Sequence, residues 1–285
     1  MKLTKLFALL VATALIVGMS GGDVGKSKES VIVLSKSNTL VLSGEVDGPN
    51  TADLIKNARE LGQAHFSGGK PIYLFLNTPG GSIQVGLELI EALHGLNRPV
   101  DTVTLFAASM GFQIAQSLGQ RYVLKNGILM SHRAAGEISG SFGGSVPSQM
   151  DSRYGLWLSR VKELDEQTVS RTGGKQTLES YQKAYANELW LTGTQSVAAG
   201  YADKIVALRC DSSLDGVTTH SVDFLGVTVK FDLDNCPINT SPMNIRVDVP
   251  PQEKAKITAK QIKDLEAQFA EQYTTKQHSV IPMYW

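Results

Sequence analysis

The chain has no net charge, no apolar run of membrane-spanning length and almost no cysteine, and each lack narrows what it can be. Across 285 residues, 27 Lys and Arg balance 27 Asp and Glu. Without a basic excess there is no broad electrostatic footprint for a phosphate backbone, which argues against nucleic acid as a main partner. The apolar run Leu6 to Met19 counts 14 residues, whereas a helix that crosses a bilayer needs about 20. A polytopic membrane protein is therefore excluded, and 42% hydrophobic residues exclude a disordered chain. The two cysteines, Cys210 and Cys236, are too far apart, and too poor in nearby His, for a zinc site. There is no repeat of fixed period and no low-complexity tract beyond short linkers.

The first residues carry a positive start (Lys2, Lys5), then the apolar run, then a small-residue exit at Ser20, Gly21 and Gly22. This is the layout of a cleaved secretory signal over 1–22, with an uncleaved membrane anchor as the alternative. No Cys follows the run, which argues against a lipid anchor. In an oxidising compartment Cys210 and Cys236 would clip the ends of one hairpin, the strand-like stretch Val222 to Leu233 with Gly226 near its middle. A loop of that length closed by a disulfide contributes about 3 kcal/mol. The alternative is two buried free thiols.

After a polar stretch rich in Ser, Lys and Gly (Ser20 to Ser30), apolar alternation begins at Val31 and continues through Thr39 to Val46, a strand signal, with 23–35 taken as the linker before the domain. A helical pattern follows over Thr51 to Leu61, then a short buried strand over Ile72 to Leu76. The unit repeats: helix from Ser82 to Leu96, strand from Val100 to Phe106, helix from Ser109 to Leu118, strand ending at Ser131-His132. A Gly- and Ser-rich segment (Gly136 to Ser148) precedes a long amphipathic helix, Gln149 to Thr172. This cadence predicts an α/β fold of strand-helix crossover units over 36–207. Residues 208–285 read as a C-terminal extension: the cysteine-bounded hairpin, a Pro250-Pro251 break, a charged helix from Glu253 to Gln272, and a partly apolar end suited to docking.

Three strand-to-helix or strand-end junctions should share one edge of that sheet, where ligands sit in open α/β folds. They are Asn77-Thr78-Pro79-Gly80-Gly81-Ser82, Ala107-Ala108-Ser109-Met110-Gly111 and Met130-Ser131-His132-Arg133. Ser109 opens a helix among small neighbours, the way a turn presents a nucleophile, and a serine hydroxyl needs a base within hydrogen-bond reach. His132 follows 23 residues later at the next strand end; an imidazole, ordinarily of pKa about 6.5, suits that task. The N–H groups of Gly81 and Met110 would hold an oxyanion. Taken singly, a Ser before a helix is usually a cap, a His at a strand end usually structural, and a Pro-Gly-Gly turn only a turn. Their combination in this order points to acyl transfer.

From about Val41 to Ile205 the chain resembles the proteolytic subunit family of the Clp proteases, serine peptidases that share their fold with the crotonases. The resemblance rests on Tyr73 to Ser82, Ala107 to Gly111, Leu129 to Arg133, and Trp190-Leu191-Thr192-Gly193-Thr194-Gln195-Ser196-Val197-Ala198-Ala199-Gly200-Tyr201-Ala202-Asp203. It implies Ser109 as nucleophile, His132 as base, and Gly81 and Met110 as the oxyanion hole. The Gly-rich segment and the helix after it resemble the handle that joins two rings, whose strand pairs with substrate. The family places an Asp shortly before the segment matching Trp190-Leu191-Thr192; a gap-free match puts Glu188 there, with Asn187 next to it. Either can orient a histidine, and the alternative is a dyad without an acid.

The resemblance further implies a homo-oligomeric ring acting on peptides or unfolded chains, without metal or cofactor. Export would separate such a ring from an ATP-driven unfoldase, so ATP-independent cleavage is expected. The apolar positions Tyr154, Leu156, Leu158, Val161 and Leu164 of the handle helix suit ring assembly. A non-catalytic exported scaffold with the same fold is one alternative. A signal-peptide-peptidase-like membrane-associated protease is another, but such enzymes generally use a Ser-Lys dyad, and His132 argues against it. A crotonase acting on acyl-CoA leaves the Ser-His pair unexplained.

Overall fold

The computed structural model describes residues 30–63, 70–135, 147–224, 227–239, 241–249 and 258–278. The expected export signal over 1–22, the Gly-rich segment over 136–146, the Pro250-Pro251 break and residues 279–285 lie outside the described residues. The α/β domain runs β1 (Ser30–Leu34), β2 (Thr39–Ser43), α1 (Gly48–Gln63), β3 (Ile72–Thr78), α2 (Ile83–His94), β4 (Val100–Ala108), α3 (Met110–Ser117) and β5 (Arg121–Ser131). It continues with α4 (Pro147–Ser170), α5 (Leu178–Tyr185), β6 (Leu189–Thr192), α6 (Gly193–Ala199) and β7 (Lys204–Cys210). Among the described residues no helix is long and apolar enough to cross a membrane.

The main sheet has the order β1-β7-β5-β4-β3-β2, all parallel, as crossover connections require. β3 is buried on both faces, which is why Ile72 to Leu76 reads as an unbroken apolar run. β1 and β2 lie at opposite ends of this order yet are joined by only residues 35–38. Four residues reach about 14 Å, while the outer strands of a flat six-stranded sheet stand about 24 Å apart. The sheet therefore curls, and β1 with β7 folds over one face, where Ile32, Leu34 and Val206 pack with Phe75 and Val103. The other face packs against the helices through Leu54, Leu89, Leu93, Phe112 and Ile114.

Two features depart from the sequence expectation. Residues 30–34, placed in the linker, form β1 and pair with Val206–Cys210 of β7. A third neighbour of β5, the antiparallel β6, pairs with Ile128–Ser131, while β7 takes Tyr122–Leu124. β5 serves both β6 and β7 on the side away from β4, and its register shifts against β4 between Thr104 and Phe106. Gly127 lies at that shift, where a Cβ would come within 2.7 Å of the Thr104 carbonyl.

Beyond β7 lies a second, three-stranded antiparallel sheet of β8 (Val217–Phe224), β9 (Val227–Asp234) and β10 (Asn244–Asp248), in the order β10-β9-β8. Helix α7 (Ala259–His278) packs on it through Ile262. The hairpin and helix match the expected extension; β10 adds a third strand. Cys210, the last residue of β7, is disulfide-bonded to Cys236, just past β9. The bridge thus ties this module to the end of β7, one strand in from the edge of the main sheet.

Candidate active site

Ser109 connects β4 to α3 with φ 54° and ψ −119°, and its side chain makes no cap hydrogen bond. It is one of two non-glycine residues with positive φ among the described residues. Such a conformation costs on the order of 1–3 kcal/mol and persists only where its surroundings over-determine it. Here the Ser109 N–H donates to the Met130 carbonyl (2.9 Å), while Gln113 N–H donates to the Ser109 carbonyl (3.2 Å) and starts the helix. Gly111 lets that helix sit on the end of β3: a Cβ there would be 2.5 Å from Thr78 Cγ2.

The β4–β5 register brings the base to the nucleophile. Ala108 pairs with Met130, so Ser109 and, two residues past Met130, His132 leave the sheet side by side. His132 Nε2 and Ser109 Oγ are 2.7 Å apart. A hydroxyl released from capping and bonded to an imidazole is the arrangement that general-base activation needs.

Gly80 and Gly81 adopt φ 93° and 150°. Gly80 passes so close to the elbow that a Cβ would lie 2.6 Å from both the Ala108 carbonyl and Ser109 Cβ. Its own N–H donates to Thr78 Oγ1 (3.1 Å). Gly81 forms a parallel bridge with Val46, in which Val46 N–H donates to the Gly80 carbonyl and Ser82 N–H to the Val46 carbonyl. In an extended segment successive N–H groups alternate in direction, so the Gly81 N–H points away from Val46. Gly81 lines the same cleft as Ser109, Met110 and His132, a space of about 220 Å³. Met110 begins α3, where the first N–H groups of a helix have no internal acceptor and carry its partial positive charge.

Buried polar groups of α4 and α5 support the cleft and form its far wall. Tyr181 of α5 is fully buried, and its hydroxyl is 2.7 Å from Ser131 Oγ. Gln113 Nε2 donates to the same hydroxyl (3.4 Å), and Thr168 Oγ1 donates to Gln113 Oε1 (3.1 Å). Burial pushes the Tyr181 phenol up to about 12, so it stays neutral. Asp165 of α4 is 4% exposed and lines the cleft with Tyr185. Its Oδ2 accepts from the Tyr185 hydroxyl (2.6 Å) and Gln182 Nε2 (3.0 Å). Burial, reinforced by the bond to Asp165, raises the Tyr185 phenol well above its ordinary range. The signal for Asp165 was present: it continues the Tyr154, Leu158, Val161 spacing of the apolar face of α4, an odd place for a carboxylate.

Glu188 stands elsewhere. It is the other positive-φ residue (65°), exposed in the turn between α5 and β6, and its Oε2 accepts from Trp190 Nε1 at 2.9 Å. Asn187 is exposed beside it, and neither residue lines the cleft.

A strand-to-helix elbow with a Ser-His pair and facing backbone donors defines a serine hydrolase site on an α/β scaffold. The comparisons specify the kind. Residues 22–209 match the Clp protease family. The ATP-dependent Clp protease proteolytic subunit of Streptococcus gordonii is 31% identical over 177 residues, 61% of this chain and 87% of that protein. The subunit of the same name from Streptococcus pyogenes serotype M5 is 29% identical over 176 residues, 61% of this chain and 86% of that protein. The chain belongs to the Clp protease family and is a serine-type endopeptidase. The match ends one residue before Cys210, so the module beyond β7 lies outside the family region.

Proposed function

We propose that the chain cleaves peptides and unfolded polypeptides with Ser109 as nucleophile and His132 as general base, independently of ATP, after export. The observation that carries this reading is the 2.7 Å bond from His132 Nε2 to a Ser109 Oγ that caps nothing. As Oγ attacks the scissile carbonyl carbon, its proton passes to Nε2. The carbonyl oxygen becomes an oxyanion held by the Gly81 and Met110 N–H groups. The C–N bond then breaks as the imidazolium returns that proton to the leaving amine, and water repeats the sequence on the acyl-enzyme.

The signal-like start of the chain and the disulfide support the exported, ATP-independent part of the reading, because both suit an oxidising compartment without ATP. The N-terminal half of α4 supports assembly into a ring: Tyr154, Leu156 and Leu158 are 51%, 63% and 45% exposed, an apolar surface that a lone subunit would leave wet.

The test is labelling of the signal-free protein with a fluorophosphonate probe, beside hydrolysis of an unfolded protein without nucleotide. Ser109→Ala should abolish labelling and lower the hydrolysis rate by about 10⁴-fold or more. The wild-type rate should fall on the acid side as the imidazole takes up a proton; a flat rate from about pH 5 to 8 would remove His132 as base. A folded, assembled protein that neither labels nor hydrolyses overturns the reading in favour of a scaffold.

A further inference from the structure

We infer that Asp165, carried by α4, is the carboxylate that orients His132, so that the acid of this site comes from the handle helix and not from the turn before β6. The inference rests on the Ser109-His132 reading and names its missing third group.

Among the residues that line the cleft, Asp165 is the one carboxylate. It is almost fully buried, and a buried carboxylate needs compensating partners. Its Oδ2 has two, the Tyr185 hydroxyl and the Gln182 amide. Its Oδ1 has no hydrogen bond among the described residues and is not fully enclosed. His132 has the complementary vacancy. Its Nε2 is committed to Ser109, and no described residue bonds Nδ1. An imidazole whose second nitrogen is unheld can rotate and can take the wrong tautomer; a carboxylate at Nδ1 corrects both and stabilises the imidazolium that forms during attack. Catalytic hydrogen bonds commonly tighten only when substrate is bound, and a single water can bridge a pair that shares a cavity. The proton stays on Nδ1 throughout.

The surrounding charges fit that role. Arg133, next to His132 in the loop after β5, acts electrostatically on Tyr185. Tyr181 and Tyr185 of α5 both feel Asp165, and both phenols are raised by burial, so Tyr185 donates to the carboxylate and neither phenol replaces it as the anion. From α3 the cleft receives Gln113, which is neutral. Glu188, the competing acid, is engaged by the Trp190 indole.

Two readouts separate orientation of His132 from mere packing. The first is the pH dependence of diethyl pyrocarbonate modification at His132, followed by peptide mass spectrometry, which needs no enzymatic activity. In Asp165→Asn the midpoint should move about one unit toward lower pH, and fluorophosphonate labelling should slow by about 10³- to 10⁴-fold. Asp165→Glu should restore part of both. If Asp165→Asn does not fold, Tyr185→Phe decides, with labelling slowed about 10-fold through the loosened carboxylate. A folded Asp165→Asn with an unmoved midpoint, or a larger loss in Glu188→Gln than in Asp165→Asn, overturns the inference. A wild type that fails to label while the midpoint still moves in Asp165→Asn supports the pair and retires the peptidase reading alone. With neither effect, both fall.

Discussion

The α/β domain and the module beyond Cys210 are held together by different means, and the difference shows what each part can tolerate. The domain packs helices and a curled sheet around two buried clusters, with Leu74, Leu76, Leu89, Phe75 and Val103 fully enclosed. The module's core is Val227, Val229 and Val249, lined by Ile245, Val247 and Ile262. A three-stranded sheet under one helix is close to the smallest unit that is stable alone. A strained residue such as Ser109 can be kept only where neighbours leave it no alternative, so the site belongs in the domain. The module relies on a covalent tie to it.

Two glycines break this comparison most directly. Gly80 and Gly216 both sit in left-handed backbone, at φ 93° and 101°. At Gly80 an added Cβ meets the Ala108 carbonyl, Ser109 Cβ and the Met110 nitrogen within 2.8 Å. At Gly216 the nearest atom is the flexible Asn235 amide, 3.7 Å away. Gly80→Ala should therefore displace nucleophile and oxyanion donors together and lower kcat/KM by about 10³-fold. Gly216→Ala carries only the backbone penalty, about 1 kcal/mol, and should leave kcat/KM unchanged. Similar activity losses from the two variants would mean that the module, too, shapes the site.

The disulfide tests the tie itself. Cys210 and Cys236 are 26 residues apart, a loop whose closure in the unfolded chain is worth about 3.5 kcal/mol. Replacing both by Ser should bring module unfolding forward in urea, ahead of the domain, and expose β8 and β9 to limited proteolysis. Peptidase activity of the folded double variant should match the wild type. A single unaltered transition would show that the module's small core is sufficient.

Much of this organisation was legible in the sequence because it rests on local signals. The runs at Ile72 to Leu76 and Val100 to Phe106 became β3 and β4, and Ser82 caps α2 by accepting from Val85 N–H. The nearness of Ser109 and His132 was legible because each stands where a strand ends, and parallel strand ends gather at one edge. The curl of the sheet was hidden, since it depends on which strand β1 pairs with, and β7 lies about 170 residues away. The four residues of β6 were too few to show a period. Asp165 is harder to read: its partners Tyr185 and Gln182 come from another helix, and its one local sign is a carboxylate on the apolar face of α4. Glu188 was chosen by distance along the chain to Trp190, and that nearness is realised in space as a hydrogen bond to the Trp190 indole, away from the cleft.

Ion pairs provide the finest contrast between the two parts. In the domain, Arg121 and Asp203 are 2.5 Å apart with side chains 5% and 30% exposed. The pair locks the start of β5 to the start of β7, and Arg121 N–H also donates to Asp203 Oδ2 (2.8 Å). Burial by itself would raise the Asp203 carboxyl, but the Arg121 side chain and backbone together hold it below the usual carboxylate range. A native pKa below the unfolded one means that the stabilisation is present above about pH 4 and is lost as the pH falls through the native value. Asp203→Asn should cost about 2 kcal/mol at neutral pH, because it leaves Arg121 buried beside a neutral group, and should flatten the acid loss of domain stability. In the module, Lys230 and Asp248 are 2.6 Å apart but 41% and 55% exposed. Water and salt screen such a pair, so Lys230→Ala should change module stability by less than about 1 kcal/mol, and by nothing measurable in 0.5 M salt, roughly a 4 Å screening length. A larger, salt-resistant loss at Lys230 would show that the module is organised by charge as the domain is, and the contrast between the two parts would then rest on the disulfide alone.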